Sequence, residues 1–157
     1  MSKIIIFADF FYGKRRPALH YFLNDREYPA IFIWNEKINE HQEHVIIQLD
    51  VEFDINNVLK IKMLDKTDND LIINGTEIVD HFVTIRNLEI DEIRLDHVLY
   101  NVGQFEHCMP EDWVNMMAKK NIKIDPIYKC CTEFRLNGTY SIHFSLPVWK
   151  WCVNLSI

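Results

Sequence analysis

The sequence predicts a mainly all-β chain: a single-domain, jelly-roll-like antiparallel β-sandwich with one short helix near residues 110–120. Three observations carry this. Ile47, Leu49, Val51 and Phe53 alternate with Gln48, Asp50 and Glu52, and Leu59, Ile61 and Met63 alternate with Lys60 and Lys62. That is the period of half-buried antiparallel strands. In residues 83–95 the apolar parity changes twice, from Val83 and Ile85 to Leu88 and Ile90, then to Ile93 and Leu95. Side chains in a strand alternate faces, so each change requires an extra residue as a bulge, bend or short turn. Finally, strand-like runs follow one another with no regular strand–helix alternation, which excludes a parallel α/β sheet.

The elements follow in order. Ile4-Ile5-Ile6-Phe7-Ala8, within residues 3–8, reads as a first strand. Residues 17–23 and 28–34 read as a hairpin around Asn24-Asp25-Arg26-Glu27. The polar stretch Glu36–Glu43 reads as a loop. Val45–Phe53 and Val58–Met63 read as the next pair, joined by Asp54-Ile55-Asn56-Asn57. An acidic turn precedes the bent segment. Residues 110–120, PEDWVNMMAKK, read as the helix: Pro110 suits its first turn, Glu111 and Asp112 its positive end, Lys119 and Lys120 its negative end. Trp113, Met116 and Met117 form its apolar stripe, expected to face a core. Thr132–Leu136, the hairpin signal Asn137-Gly138, and the alternating Tyr140, Ile142 and Phe144 return the chain to strands. Pro147 then introduces an edge strand over Val148–Val153, with Trp149 and Trp151 on one face. About nine or ten short strands result, folded as one domain over 1–157 with an insertion at about 104–131.

Composition narrows the function classes. The chain has 157 residues, 48% hydrophobic and 13% aromatic, enough for one compact core. Its net charge is −6 and its only basic run is Lys14-Arg15-Arg16, which reads as a solvated hairpin loop. A nucleic-acid groove requires many clustered cations, so no nucleic-acid partner is expected. The four glycines, Gly13, Gly75, Gly103 and Gly138, stand apart, which excludes phosphate-cradling loops. The run Ile4–Ala8 is too short for a secretory signal. No apolar run reaches the ~18 residues of a membrane span, so no membrane partner is expected. Of the four cysteines, Cys130 and Cys131 are adjacent, which suits idle thiols in a reducing cytosol rather than a disulfide framework.

Two constellations carry chemistry. The acidic turn offers Asp65, Asp68, Asn69 and Asp70, and a hard cation such as Ca²⁺ takes several oxygens from one short loop. The glycine and terminal glutamate of an EF-hand are missing, and a solvated turn is the structural alternative. The aromatics are the other. Trp34, Tyr100 and Trp113 are candidate contacts to a glycan or a protein partner, with core packing as the alternative. His107-Cys108 with Cys130-Cys131 is a poor zinc set, because adjacent cysteines in a strand face opposite ways. No nucleophile elbow and no assignable carboxylate pair is present, so no catalytic residue is named.

Two stretches bear a resemblance. One is Lys62–Asp70 with Ile78–Ile93; the other is Leu136–Trp151, an Asn-Gly step, a strand, then proline and tryptophan. They resemble small β-sandwich proteins encoded by tailed bacteriophages. That group is in turn similar in shape to calcium-dependent carbohydrate-binding modules. The resemblance implies a non-enzymatic, virion-associated structural protein: a decoration, neck, baseplate or tail-fibre accessory. It would be made in the bacterial host cytoplasm and then held in the virion. Its expected partners are other virion proteins and further copies of itself, with a surface glycan as an additional ligand. A calcium-dependent carbohydrate-binding module and an early effector against a host protein are the rival readings, and calcium is the one cofactor implied.

Overall fold

The computed structural model describes residues 1–155. The strands are β1 (Ser2–Phe11), β2 (Leu19–Leu23), β3 (Arg26–Tyr28), β4 (Ile31–Asn39), β5 (Gln42–Val51), β6 (Asn56–Met63), β7 (Ile72–Asn74), β8 (Glu77–Val79), β9 (Phe82–Ile90), β10 (Ile93–Arg94), β11 (Gln104–His107), β12 (Ile127–Lys129), β13 (Glu133–Phe134) and β14 (Gly138–Ser145). Helices α1 (Val98–Val102), α2 (Glu111–Lys119) and α3 (Val148–Leu155) and a 3₁₀ turn over Asp68–Asp70 are the other elements of the described residues.

Two six-stranded antiparallel sheets dominate. The first runs β10-β9-β1-β5-β4, with β13 also on β9; the second runs β12-β11-β14-β6-β2-β3. A separate β7-β8 hairpin stands apart from both. One apolar cluster joins the sheets: Ile4, Ile6 and Phe10 of β1 and Val45, Ile47 and Leu49 of β5 lie with Leu59, Ile61 and Met63 of β6 and Tyr140, Ile142 and Phe144 of β14. Each such side chain contributes roughly 1.5–3 kcal/mol by leaving water. The alternation over 45–53 and 58–63 therefore reports the inner faces of two sheets.

Both parity changes have a structural cause. Phe7 pairs with Asn87 and Ala8 with Ile85, which leaves Arg86 as a bulged residue in β9. Val83 and Ile85 before it, and Leu88 and Ile90 after it, all stay buried. Asp91 and Glu92 then take positive φ of 52° and 68° in a tight turn, and Ile93 pairs with Ile90.

Several expectations are corrected. Glu36–Glu43 is not a loop: β4 runs to Asn39 and β5 starts at Gln42. As an edge strand exposed along its length, β4 needs no apolar alternation. The strands Val45–Phe53 and Val58–Met63 do not pair; β5 and β6 lie in different sheets, and each finds partners distant in sequence. The hairpin at Asn24-Asp25 is real but shorter, ending at Tyr28, and β4 belongs to the other sheet. Asn137-Gly138 makes no hairpin, because β13 pairs with β9 while β14 pairs with β6 and β11. Residues 148–155 form a helix. The Pro147 carbonyl accepts from the Lys150 and Trp151 amides, and proline serves there as a helix start rather than a strand start. Trp151 consequently packs against Phe144 while Trp149 is exposed. Among the described residues there are three helices rather than one, and α2 buries none of its residues, so its stripe does not enter the core. Within 104–131, β11 lies inside the second sheet and Phe105 in the core.

Candidate functional site

The polar end of the molecule is built around Arg15. It follows β1, and its guanidinium meets Asp65 Oδ2 at 2.5 Å through Nη1 and Asp70 Oδ2 at 2.7 Å through Nη2. Nη2 also donates to the Asp65 carbonyl at 2.7 Å. The Ala18 amide donates to Asp65 Oδ2, and the Thr67 amide and hydroxyl donate to Asp70 Oδ2. Asp70 thereby closes the 3₁₀ turn onto Thr67, the residue that caps its start. Burial favours the protonated form of Asp70, but the Thr67 amide, the neighbouring His81 and the Arg15 guanidinium outweigh it and hold its pKa below the ordinary value.

His81 lies behind this pair, 1% exposed. Its Nε2 stands 3.7 Å from Asp65 Oδ1 and its Nδ1 3.9 Å from Asp70 Oδ1. Nε2 and Asp65 Oδ1 are buried without a hydrogen-bond partner. Burial pushes the imidazole pKa down, and the two carboxylates only partly restore it.

A second group of contacts ties this turn to the strand that follows. Lys66 Nζ reaches Asp80 Oδ1 at 2.7 Å and the Arg135 carbonyl at 2.5 Å. Asn137 accepts from the Lys66 amide and donates to the Lys66 carbonyl. The Asn-Gly signal thus marks a cross-link between distant loops, the amide side chain imitating a strand neighbour.

Beside these contacts lies a cleft of about 460 Å³. Its lining mixes apolar Leu71, Met109, Trp113 and Leu136 with polar Lys66, Thr67, Asp68, Asp80 and Asn137. Helix α2 supplies Trp113. The Trp113 and Val114 amides donate to the Pro110 carbonyl, which fixes the first turn of the helix.

The residues singled out in the sequence are therefore divided. Asp65 and Asp70 are charge-compensated by Arg15. The side chains of Asp68 and Asn69 are exposed and make no hydrogen bond or ion pair among the described residues. Among these residues no group of three or more His, Cys, Asp or Glu is placed to hold a metal ion. Of the aromatics, Trp113 lines the cleft with Asp68; Trp34 lies on β4 at 43% exposure and Tyr100 on α1 at 57%. The structure brings one aromatic to the acidic turn and leaves the other two elsewhere. Among the described residues Cys108, Cys130, Cys131 and Cys152 form no disulfide.

Sequence reasoning missed Arg15 and Arg16 as ion-pair partners. Arg16 is held by Glu43 through Nε and Nη2, each at 2.9 Å. It also missed a pair on the outer face of the first sheet, where Asp9 contacts His44 Nδ1 and receives Arg86 Nε at 3.1 Å. The signal for the second was present: the parity change at residue 86 marks the bulge that aims Arg86 at Asp9.

No protein-family model, curated protein or solved structure matches the chain.

Proposed function

We propose that this chain is a non-enzymatic docking protein, a virion-associated structural component of a tailed bacteriophage. A decoration, neck, baseplate or tail-fibre accessory of jelly-roll-like sandwich form is the reading that fits. The observation that supports it most is β4. Every residue of this nine-residue edge strand is exposed, and Ile31, Phe32, Ile33 and Trp34 stand 42–50% accessible in one run. An exposed apolar edge of this kind is an aggregation hazard unless a partner covers it. Register breaks between Phe32 and Trp34 and between Lys37 and Asn39 interrupt open-ended pairing along the backbone. Glu36 and Lys37 blunt the far half of the strand in the same way. Docking therefore falls to the apolar side chains, against another protein of the particle.

Mass spectrometry of purified virions tests this. The chain is expected at a fixed copy number, and Ile33→Lys is expected to lower its incorporation while leaving the isolated fold intact. Absence of the chain from virions sinks the structural role. An early transcript together with that absence favours an effector acting on a host protein.

A further inference from the structure

We propose that Asn74 is a self-modification site: the exposed Asn74-Gly75 step closes on itself, loses ammonia and becomes aspartate or isoaspartate, with water as the only other reactant. This goes beyond the docking reading and does not rest on β4. The chain holds two Asn-Gly steps, Asn74-Gly75 and Asn137-Gly138. They are identical in covalent chemistry and differ in structure at each point the reaction needs. The Gly75 nitrogen must lose its proton and attack the side-chain carbonyl carbon of Asn74. A C–N bond forms, the side-chain nitrogen leaves as ammonia with that proton, and a five-membered succinimide remains. Water then opens the ring at either carbonyl. One opening gives aspartate; the other routes the main chain through the side-chain carbon and gives isoaspartate.

Asn74 meets each requirement. Asn74, Gly75 and Thr76 are all exposed. The Asn74 side chain makes no hydrogen bond among the described residues, and the Gly75 nitrogen donates to nothing there. Gly75 takes a φ of 64° at the head of the two-residue loop between β7 and β8, and nothing lies within 4 Å of where a Cβ would stand. The flanking strands do not clamp the step. The β7-β8 ladder is three residue pairs long and stands apart from both large sheets, and Ile73 and Ile78, paired across it, are each 67% exposed. A two-stranded ribbon with so little burial opens readily at its tip, which lets the Asn74 side chain reach the Gly75 nitrogen.

Asn137 meets none of them. Its Nδ2 donates to the Lys66 carbonyl at 2.9 Å and its Oδ1 accepts from the Lys66 amide at 3.0 Å, which pins the side chain. Gly138 is buried and begins β14 between β6 and β11, where a Cβ would strike the Glu106 carbonyl. The sheet has to open before a ring can form there. At residue 74 the product alters the hairpin. Asn74 stands opposite Glu77, so a carboxylate in its place sets like charges across the ladder, and isoaspartate lengthens the backbone and breaks the register. Conversion therefore loosens the tip that presents Ile73 and Ile78.

Peptide mass spectrometry on the full chain tests this, after incubation in mildly alkaline buffer with and without urea. In the folded chain the Asn74 peptide is expected to gain about 1 Da at least about tenfold faster than the Asn137 peptide, because only the second must wait for a sheet to open. In urea the two rates are expected to converge, and in heavy-oxygen water the gain is expected to carry the heavy isotope. Asn74→Gln, whose ring would need six members, is expected to hold the mass of that peptide constant with the circular dichroism unchanged. The proposal is overturned if Asn74 stays intact in the folded chain while converting in urea, if Asn137 keeps pace with it in the folded chain, or if the gain contains no oxygen from water. None of these readouts involves the virion, so their failure leaves the test of docking untouched.

Discussion

The guanidinium of Arg16 grips Glu43 with two parallel hydrogen bonds of 2.9 Å, and Glu43 is 4% exposed. The carboxylate also accepts from Tyr12 and Asn35 at 3.0 Å each. Burial alone would raise its pKa; the bonds from Arg16, Asn35 and Tyr12 reverse that and hold it below the ordinary value. Arg16 further lies 4.6 Å over the Phe32 ring and 5.6 Å from Phe10. One arginine thus fastens the connection after β1 to the β4–β5 edge. Glu43→Ala leaves three donors without their shared acceptor. It is expected to lower stability by about 2–4 kcal/mol in urea denaturation. Arg16→Lys keeps the charge but loses the fork and the ring contact, and is expected to cost about 1 kcal/mol. A Glu43→Ala variant as stable as wild type contradicts this account.

Acid is expected to loosen the Arg15 end of the molecule in two stages. His81 faces Asp65, Asp70, Arg15 and Lys66, and burial sets its folded pKa below its unfolded one. The unfolded chain therefore takes up a proton first, and the contribution of His81 is present above about pH 6.5 and lost as pH falls through the folded value. Asp70 is also depressed in the fold, so its contribution disappears further into the acid range, below about pH 4. Urea midpoints measured across this range are expected to fall twice. His81→Asn is expected to remove the upper step and keep the lower one. A variant that keeps the upper step shows that another group titrates there.

Legibility in the sequence depended on whether a signal was local. The bulge at Arg86 and the turn at Asp91-Glu92 were legible because parity is counted along one strand. The pairing of β5 with β1, and of β6 with β14, was not, since register between distant strands leaves no mark in either segment. The tail was misread because its apolar residues fit two periods. Val148, Trp149, Trp151, Cys152 and Val153 satisfy a short strand as well as a helix, and Pro147 starts either. Strand β4 was half missed because an uncovered edge need not alternate. At the site, Asp68 and Trp113 were separately visible as a turn acid and a helix aromatic. Their sharing one cleft was not, and neither was the partnership of Arg15 with Asp65 and Asp70, fifty or more residues away.

Gly103 and Tyr140 make a paired prediction. A Cβ at Gly103 would lie 2.3 Å from both the Cys131 carbonyl oxygen and the Tyr140 hydroxyl. The carbonyl is backbone and cannot swing aside. Gly103→Ala is expected to cost at least about 2 kcal/mol through overpacking. The Tyr140 hydroxyl is itself buried without a hydrogen-bond partner, and burial pushes its pKa up. Tyr140→Phe removes an unsatisfied polar group and opens space beside Gly103. It is expected to leave stability unchanged or raise it by up to about 1 kcal/mol. In the double variant, part of the Gly103→Ala loss is expected to be recovered, which a double-mutant cycle measures. Strict additivity argues against the shared contact.

The two tryptophans of α3 are expected to differ sharply. Two positions apart on a helix, they point some 200° from one another. Trp151 meets the Phe144 ring edge-on, with centroids 6.2 Å apart, and packs on the core cluster. Trp149 is 59% exposed. Trp151→Ala is expected to lower stability by about 2–3 kcal/mol, through lost burial and the aromatic contact. Trp149→Ala is expected to stay within about 0.5 kcal/mol. Had residues 148–153 formed a strand, both indoles would share one face and the two losses would be similar. Urea denaturation of the two variants therefore reports the conformation of the tail as well as its packing, and equal losses would return the segment to the strand that its sequence suggests.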